Sequence, residues 1–252
     1  MNIDLTNFNI LITGSSRGIG YAIARQLAIS GARVALHYNQ SSKEANELAE
    51  FIGNKSYAFK ADLSKPEGAI QLFDDVLEEF KRLDVLINNA AIAVHSPLGQ
   101  SDLNWLEDWS RTMAVNLTSV GILCKKAIAH FSENNNGRII NITSRAAFRG
   151  DYSDYIAYAA SKGGMVALTR SIARAFGKQG IKAFLVAPGF TKTDMAQEFI
   201  DKYGPDHAIK DLALDKLTEV EDIVPMVVLL ASGLADHATG CTIDINAASY
   251  VH

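Results

Sequence analysis

Short, continuous apolar runs alternate with longer stretches of helical periodicity from one end of the chain to the other. Continuous apolar runs are typical of strands that are buried on both faces of a sheet. They predict strands at Phe8–Thr13, Arg33–His37, Ser56–Lys60, Val85–Asn88, Arg138–Thr143, Ile181–Ala187 and Thr242–Ile245. The periodic stretches predict helices at Ile19–Ser30, Ser42–Ile52, Pro66–Phe80, Thr112–Asn134, Tyr155–Gly177 and Glu219–Ser232.

Regular alternation of strand and helix predicts an α/β protein with a doubly wound, Rossmann-type parallel sheet of seven strands and helices on both faces. No linker, repeat or low-complexity tract interrupts the pattern, so residues 1–252 are expected to form a single domain. Residues 190–218 mix polar and apolar positions around Gly204 and Pro205 without a clear strand. This segment is either a lid over a substrate site or a pair of surface helices.

Composition and charge mainly exclude certain partners and a membrane location. A formal net charge of −4 provides no basic surface for nucleic acid or anionic lipid, so neither is an expected partner. No apolar run approaches membrane-spanning length, and the first residues leave no room for a secretion signal. Cys124 and Cys241 both lie in apolar runs and are interpreted as buried thiols. Together these features predict a cytoplasmic protein.

A glycine-rich turn directly follows the first predicted strand and opens the first predicted helix. It reads Thr13-Gly14-Ser15-Ser16-Arg17-Gly18-Ile19-Gly20. Glycines at such a turn allow a pyrophosphate to approach the backbone, and the helix N-terminus supplies free N–H groups and a favourable dipole. Turns also collect glycine for other reasons, but the position after strand one favours a nucleotide site.

Further motifs follow the later strands in order. They are Asp62-Leu63, Asn88-Asn89-Ala90, Asn116, Ser144, Tyr158-x-x-x-Lys162, and Pro188-Gly189 with Thr191 and Thr193. With three residues between its first two glycines, the chain resembles the short-chain dehydrogenase/reductase family, in its short single-domain branch. The resemblance implies a dinucleotide bound by Gly14, Ser16, Arg17, Gly18, Ile19, Gly20, Tyr38, Asn39, Asp62, Leu63, Asn89, Ala90, Tyr158, Lys162, Pro188, Gly189, Thr191 and Thr193. It implies no metal.

The implied active-site residues are Asn116, Ser144, Tyr158 and Lys162. Tyr158 and Lys162 are four residues apart and so share one helix face, where an ammonium would lower the pKa of the phenol. Ser144 could stabilise charge on a substrate oxygen, and by the resemblance Asn116 would hold a water that links the lysine to solvent. Each residue alone could have an ordinary structural role, such as a helix cap or a solvated amine. Jointly they predict hydride transfer between nicotinamide and a carbonyl or secondary alcohol of a small molecule.

The expected cofactor is NADP(H), with NAD(H) possible. The second strand is followed by Tyr38 and Asn39 instead of the carboxylate that usually binds the ribose 2′-OH of NAD, and Arg17 could pair with a 2′-phosphate. Some positions depart from the family pattern: Ala91 replaces a glycine, Phe184 an asparagine, and Asn246-Ala247-Ala248 the usual Asp-Gly-Gly. Ala91 is expected to border the pocket for substrate and cofactor.

Alternative functions stay open at this point. The chain resembles 3-oxoacyl carrier-protein reductases and related alcohol and sugar dehydrogenases, although its mixed charges do not favour an acidic carrier protein. A non-catalytic dinucleotide-sensing regulator would be a different class, but such proteins usually lack the tyrosine or lysine. Arg145 and Arg149 are expected on the surface, with contact to an anionic or hydroxylated substrate as the alternative. The resemblance also implies a homotetramer that pairs helices Thr112–Asn134 and Tyr155–Gly177 between subunits.

Overall fold

The computed structural model describes residues 3–193, 196–197, 200–201, 204, 209 and 211–251. Seven parallel strands form one sheet in the order β3-β2-β1-β4-β5-β6-β7. They are β1 Asn9–Ile12, β2 Arg33–Tyr38, β3 Tyr57–Lys60, β4 Val85–Asn88, β5 Gly137–Ile142, β6 Ile181–Pro188 and β7 Thr242–Ile245. The strand order reverses between β1 and β4, which is where open α/β sheets leave a crevice for ligands.

Helices cover both faces of the sheet, as predicted. They are α1 Gly18–Ile29, α2 Ser42–Ile52, α3 Pro66–Phe80, α4 Asp102–Met113, α5 Ser119–Asn134, α6 Ala146–Arg149, α7 Ile156–Phe176 and α8 Val220–Ser232. Apolar residues of α1, α2 and α8 form one core layer, and those of α3, α5 and α7 form the other. The doubly wound Rossmann-type fold is therefore confirmed.

Side chains of successive strand residues point to opposite layers. On β1, Leu11 joins the layer of α3, α5 and α7, whereas Ile10 and Ile12 join the layer of α1 and α8. On β4, Leu86 and Ile87 divide in the same way. Because both faces are covered, both sets must be apolar, which explains the continuous runs in the sequence.

The strand predictions are confirmed to within two residues at each end, and Val85–Asn88 and Thr242–Ile245 match in full. The largest error lies in the predicted helix Thr112–Asn134, since the helical run begins ten residues earlier, at Asp102. Ser101 caps this start by accepting a hydrogen bond from the Asn104 N–H at 3.3 Å. In α4 only Thr112 is buried, and the apolar side chains of Leu103 and Leu106 are exposed; the predicted helix lacks this first part of the helical run.

A π-helical turn, Ala114–Thr118, joins α4 to α5 and makes the run continuous. Such turns are rare and often occur at functional sites. This one contains Asn116, the asparagine that the sequence selected. The short helix α6 was also missed, because four residues are too few to show a period.

The ends of the predicted lid are close together, since Thr191 and Thr218 pair in an isolated parallel bridge. Positions 194–195, 198–199, 202–203, 205–208 and 210 lie outside the described residues, so the lid and the single-domain assignment stay predictions. Cys124 is a buried free thiol as expected, and Cys241 is only partly buried. No helix in the described part of the chain has the length and apolar character needed to cross a membrane.

Candidate active site

A cleft of about 830 Å³ lies at the carboxyl ends of the strands. Its walls include nearly all the residues that the sequence selected: Gly14, Ser16, Arg17, Gly18, Ile19, Tyr38, Asn39, Asp62, Leu63, Asn89, Ala90, Ser144, Tyr158, Lys162, Pro188, Gly189, Thr191 and Thr193. Ala91 also lines it, as expected. Gly20 and Asn116 do not line the cleft and lie behind residues that do.

The glycine turn is demanded by close packing as well as by backbone conformation. Gly14 has φ +65°, and a Cβ on it would lie 2.9 Å from the Ala90 Cα. A Cβ on Gly20 would lie 2.2 Å from the Gly14 oxygen and 2.5 Å from the Asn89 side-chain nitrogen. Gly18, at φ +57°, begins α1 and lines the cleft, where a Cβ on it would lie 3.5 Å from the Thr193 side chain. The arrangement is a bare backbone cradle at a helix N-terminus, which fits a pyrophosphate.

Asn89 ties this turn to the end of β4. Its Nδ2 donates to the carbonyl oxygens of Thr13 and Gly14, at 3.0 and 2.9 Å. The Thr13 hydroxyl in turn accepts hydrogen bonds from the N–H groups of Asn89 and Ala90, both at 3.0 Å. The four bonds hold the two loops together on either side of the point where the strand order reverses.

His37 braces the same turn from β2, and sequence reasoning missed it. The Gly14 N–H donates to its Nδ1 at 3.0 Å, and the Ser15 N–H donates to its carbonyl oxygen at 3.0 Å. Because Nδ1 accepts, Nε2 must carry the proton, and it lies 3.1 Å from the Ala61 oxygen. Burial lowers the pKa of His37 to about 4, so the ring is neutral at pH 7. A histidine inside an apolar run was the available signal.

The catalytic candidates meet at the other end of the cleft. Ser144 follows β5 and lies near the Tyr158 hydroxyl, while Tyr158 and Lys162 lie on α7. The Lys162 Nζ is 5.7 Å from the centre of the Tyr158 ring and donates to the Ile142 oxygen at 2.8 Å. The structure therefore brings together the three side chains that the sequence selected, and their catalytic role stays a prediction.

The predicted lowering of the Tyr158 pKa by Lys162 is wrong for the groups that the structure holds. Burial raises the pKa of Tyr158 to about 12, against a lowering by the Ser144 hydrogen bond, and the charge of Asp151 raises it further. Burial lowers the pKa of Lys162 to about 7, because its side chain is only 1% exposed. Desolvation weakens the ammonium that was expected to act on the phenol.

Asn116 is fully buried in the π-helical turn and links two elements behind the cleft. Its Nδ2 donates to the Ile92 oxygen at 2.9 Å and to the Ser161 hydroxyl at 3.1 Å, and its Oδ1 accepts from the Ile92 N–H at 2.9 Å. Ser161 precedes Lys162 on α7. Asn116 thus ties the loop after β4 to the catalytic helix, and its expected contact with a water stays a prediction.

The end of the cleft formed by the loops after β1, β2 and β3 has the features expected of an adenosine site. Asp62 accepts hydrogen bonds from the hydroxyl and the N–H of Ser64, at 2.7 and 3.0 Å, and these bonds lower the pKa of its carboxyl. Tyr38 and Asn39 end β2 without a carboxylate, and Arg17 is exposed at the start of α1.

The two arginines after Ser144 differ from each other. Arg149 is part of an ion pair with Asp211, at 3.0 Å. Arg145 is only 8% exposed, so its expected place on the surface is wrong. Both line the cleft together with Asp151 and Tyr152.

Comparison with known proteins agrees with this geometry. A family model described as enoyl-(acyl carrier protein) reductase matches residues 14–247. A 3-oxoacyl-(acyl-carrier-protein) reductase of Staphylococcus epidermidis is 34% identical over 97% of this chain and 100% of its own length. A 3beta-hydroxysteroid dehydrogenase of Eggerthella lenta is 34% identical over 96% of this chain and 94% of its own. The crystal structure of a short chain dehydrogenase from Burkholderia cenocepacia in complex with NADP aligns with a TM-score of 0.89, at 31% identity, over 97% and 98% of the two chains.

The chain belongs to the short-chain dehydrogenase/reductase family. It is an oxidoreductase, as the motifs predicted. The relatives cover nearly its whole length, so the assignment applies to the cleft as well as to the sheet.

Replacing His37 should change how stability depends on pH. As pH falls below 6.5, the unfolded chain binds a proton that the buried ring refuses until about pH 4. The free energy of unfolding should therefore fall across this window, by on the order of 3 kcal/mol from this group. His37→Gln should lose that part of the dependence in urea titrations at pH 7, 6, 5 and 4.5. The exposed His237→Gln is the control, and equal curves for wild type and His37→Gln would contradict the assignment.

Proposed function

We propose that this protein is an NADP(H)-dependent reductase or dehydrogenase of small carbonyl compounds or secondary alcohols, with Tyr158 as its acid–base group. The observation that carries the proposal is that Ser144, Tyr158 and the buried amine of Lys162 line one cleft, with Ser144 near enough to lower the pKa of the Tyr158 hydroxyl. These groups share one cleft with the glycine turn. Two adjacent hydroxyls can bind one substrate oxygen, which is what proton transfer to that oxygen needs.

A dinucleotide fits the residues that form the rest of the cleft. Gly14 and Gly20 leave a backbone cradle with no room for a side chain, and α1 begins there. The residues proposed to hold it are the glycine turn, Tyr38, Asn39, Asp62, Leu63, Asn89, Ala90, Tyr158, Lys162, Pro188, Gly189, Thr191 and Thr193. When bound, the nicotinamide supplies or accepts the hydride.

Tyr158 and Ser144 would divide the work at the substrate oxygen. With a pKa of about 12, Tyr158 is protonated at neutral pH and can donate its proton to a developing alkoxide. Ser144 donates a second hydrogen bond that stabilises the same charge. The amine of Lys162 has a pKa near 7, so it can gain or lose a proton near neutrality. It can therefore help to replace the proton that Tyr158 donates. Asn116 positions the start of α7 through Ser161.

A carrier-protein reductase is the second candidate, because relatives at 34% identity carry that name. Acidic carrier proteins favour cations at the mouth of the cleft. Here Arg149 is paired with Asp211 and Arg145 is buried instead of exposed on the surface, which favours a free small molecule. A non-catalytic sensor has no need of an intact Ser144, Tyr158 and Lys162 set. Nicotinamide absorbance during addition of alcohols, ketones and an acylated carrier protein discriminates among the three.

The proposed preference for NADP(H) depends on Arg17. It is exposed at the first turn of α1, and the neighbouring Tyr38 and Asn39 carry no charge that would repel a 2′-phosphate. The NADP complex of the Burkholderia relative supports this preference. NAD(H) remains the alternative cofactor.

We further propose a cytoplasmic homotetramer. Exposed apolar side chains on α4, Leu103 at 79% and Leu106 at 53%, have no cover within the described chain. Ala167 on α7 is exposed as well. Burial of these faces against a second subunit would remove apolar surface from water.

Tyr158→Phe should lower kcat by about 10² to 10⁴-fold and leave the Kd for NADPH nearly unchanged. The change removes the proton donor and keeps the ring. Tyr57→Phe on β3, which is 56% exposed, is the matched control and should retain wild-type turnover. A Tyr158→Phe enzyme within tenfold of the wild-type kcat would remove Tyr158 from its role.

Arg17→Ala should raise the Kd for NADPH by about 10- to 100-fold, since it removes a charge-assisted hydrogen bond to the 2′-phosphate. The Kd for NADH should change by less than about threefold, because NADH has no such phosphate. Arg25→Ala removes an equal charge from the exposed face of the same helix and should affect neither. Fluorescence titrations of NADPH and NADH into wild type and both variants, at fixed ionic strength, measure all six dissociation constants. Equal weakening of both cofactors contradicts the NADP(H) assignment.

Sedimentation velocity at micromolar concentration should show a species about four times the chain mass of 27.3 kDa. Ala167→Arg places a charge on the proposed interface and should shift the distribution to smaller species. A wild-type protein that sediments only as a monomer contradicts the tetramer.

A further inference from the structure

Within the described ranges, Arg145 carries a buried charge without a matching partner. Its side chain directly follows Ser144 and is 8% exposed. Its Nη1 is buried and has no hydrogen-bond partner among the described residues. Buried guanidinium groups are usually paired, because an unpaired charge out of water is costly. This costly guanidinium belongs to a residue that lines the cleft.

Two contacts hold Arg145 in the cleft wall. Its backbone N–H donates to the Pro188 oxygen at 3.0 Å, which ties the loop after β5 to the end of β6. Its guanidinium carbon lies 5.6 Å from the centre of the Phe190 ring. Because Arg145 directly follows Ser144 and its backbone is bonded to the end of β6, the cation lies at the Ser144–Tyr158 end of the cleft.

The surrounding charges leave Arg145 available for a ligand. Arg149 is paired with Asp211, and no ion pair within 4.0 Å joins Arg145 to any carboxylate in the described ranges. Asp151 is the other nearby carboxylate, and its Oδ1 accepts from the Tyr152 N–H at 2.9 Å. Burial and the charge of Arg149 lower the pKa of Arg145, while Asp211, Asp151 and Tyr152 act the other way. At neutral pH a guanidinium keeps its charge in every such case.

We propose that Arg145 binds a carboxylate of the substrate while the reacting carbon faces Ser144 and Tyr158, which makes the substrate a small oxo acid or hydroxy acid. The inference rests on the proposed function and names its substrate class. The planar fork of a guanidinium matches the two oxygens of a carboxylate. One unpaired cation balances one carboxylate, whereas a doubly charged phosphate would also need Arg149 released from Asp211.

Binding of simple carboxylates tests the site without turnover. Straight-chain acids from acetate to hexanoate, each paired with its neutral amide, are titrated calorimetrically into the purified protein at fixed ionic strength. At least one acid should bind about 10- to 100-fold more tightly than its amide, and Arg145→Gln should bring that ratio close to one. Arg149→Gln removes the same charge from the same cleft and should change the ratio by less than about threefold. No preference for any acid, or equal losses in both variants, overturns the proposal.

Kinetics separate this inference from the proposed function. The probes are 2-, 3-, 4- and 5-oxohexanoate and their methyl esters, with NADPH oxidation as the readout. Acid preference in kcat/KM that disappears in Arg145→Gln supports both proposals. Turnover of esters as fast as acids overturns the inference alone. Carboxylate binding that depends on Arg145, without turnover of any carbonyl compound, sinks the proposed function and leaves the binding site standing.

Stability distinguishes a binding role from a structural one. Arg145→Gln replaces an unpaired buried charge with a neutral amide, so its melting temperature should equal or exceed that of the wild type. A lower melting temperature together with an unchanged acid-to-amide ratio would make Arg145 a structural residue and overturn the proposal.

Discussion

The close approach of the glycine turn to the loop after β4 is the constraint on which the rest of the site depends. Neither Gly14 nor Gly20 has room for a Cβ, because Ala90, Asn89 and the turn itself occupy that space. This contact spans the point where the strand order reverses, so the two halves of the sheet meet there without a covering side chain. The exposed backbone that results joins the two halves of the sheet and forms part of the cleft wall.

Buried polar groups fix the geometry of this junction between the glycine turn and its neighbouring strands. His37 accepts from Gly14 and is placed to donate to Ala61, so one neutral ring connects the glycine turn with the residue after β3. Asn88 extends the network on the other side, since its Nδ2 donates to the Asn141 Oδ1 at 2.8 Å between β4 and β5. Buried networks of this kind rigidify and specify a structure, and here the Asn88 Oδ1 is the buried atom left without a partner among the described residues.

The catalytic end of the cleft is built at a cost in stability. Lys162 is almost fully buried, and Arg145 has an Nη1 with no partner within the described chain. Desolvation moves the pKa values of Tyr158 and Lys162 in opposite directions, each toward its neutral form. Groups with such shifts concentrate at active sites, where the field they produce acts on the substrate.

The sequence by itself determined the sheet, its layers and the candidate catalytic set. Apolar runs separated by helical periods are local features, and motifs such as Tyr158-x-x-x-Lys162 place side chains through helix geometry alone. Tertiary structure decided what depends on surroundings. It buried Arg145, which a charge in a loop does not suggest, and raised the pKa of Tyr158 where a neighbouring lysine suggested the opposite. It also left the apolar Leu103 and Leu106 of α4 exposed, although apolar residues at helical spacing usually face a core. Burial and desolvation arise from residues distant in the chain, so no local pattern carries them.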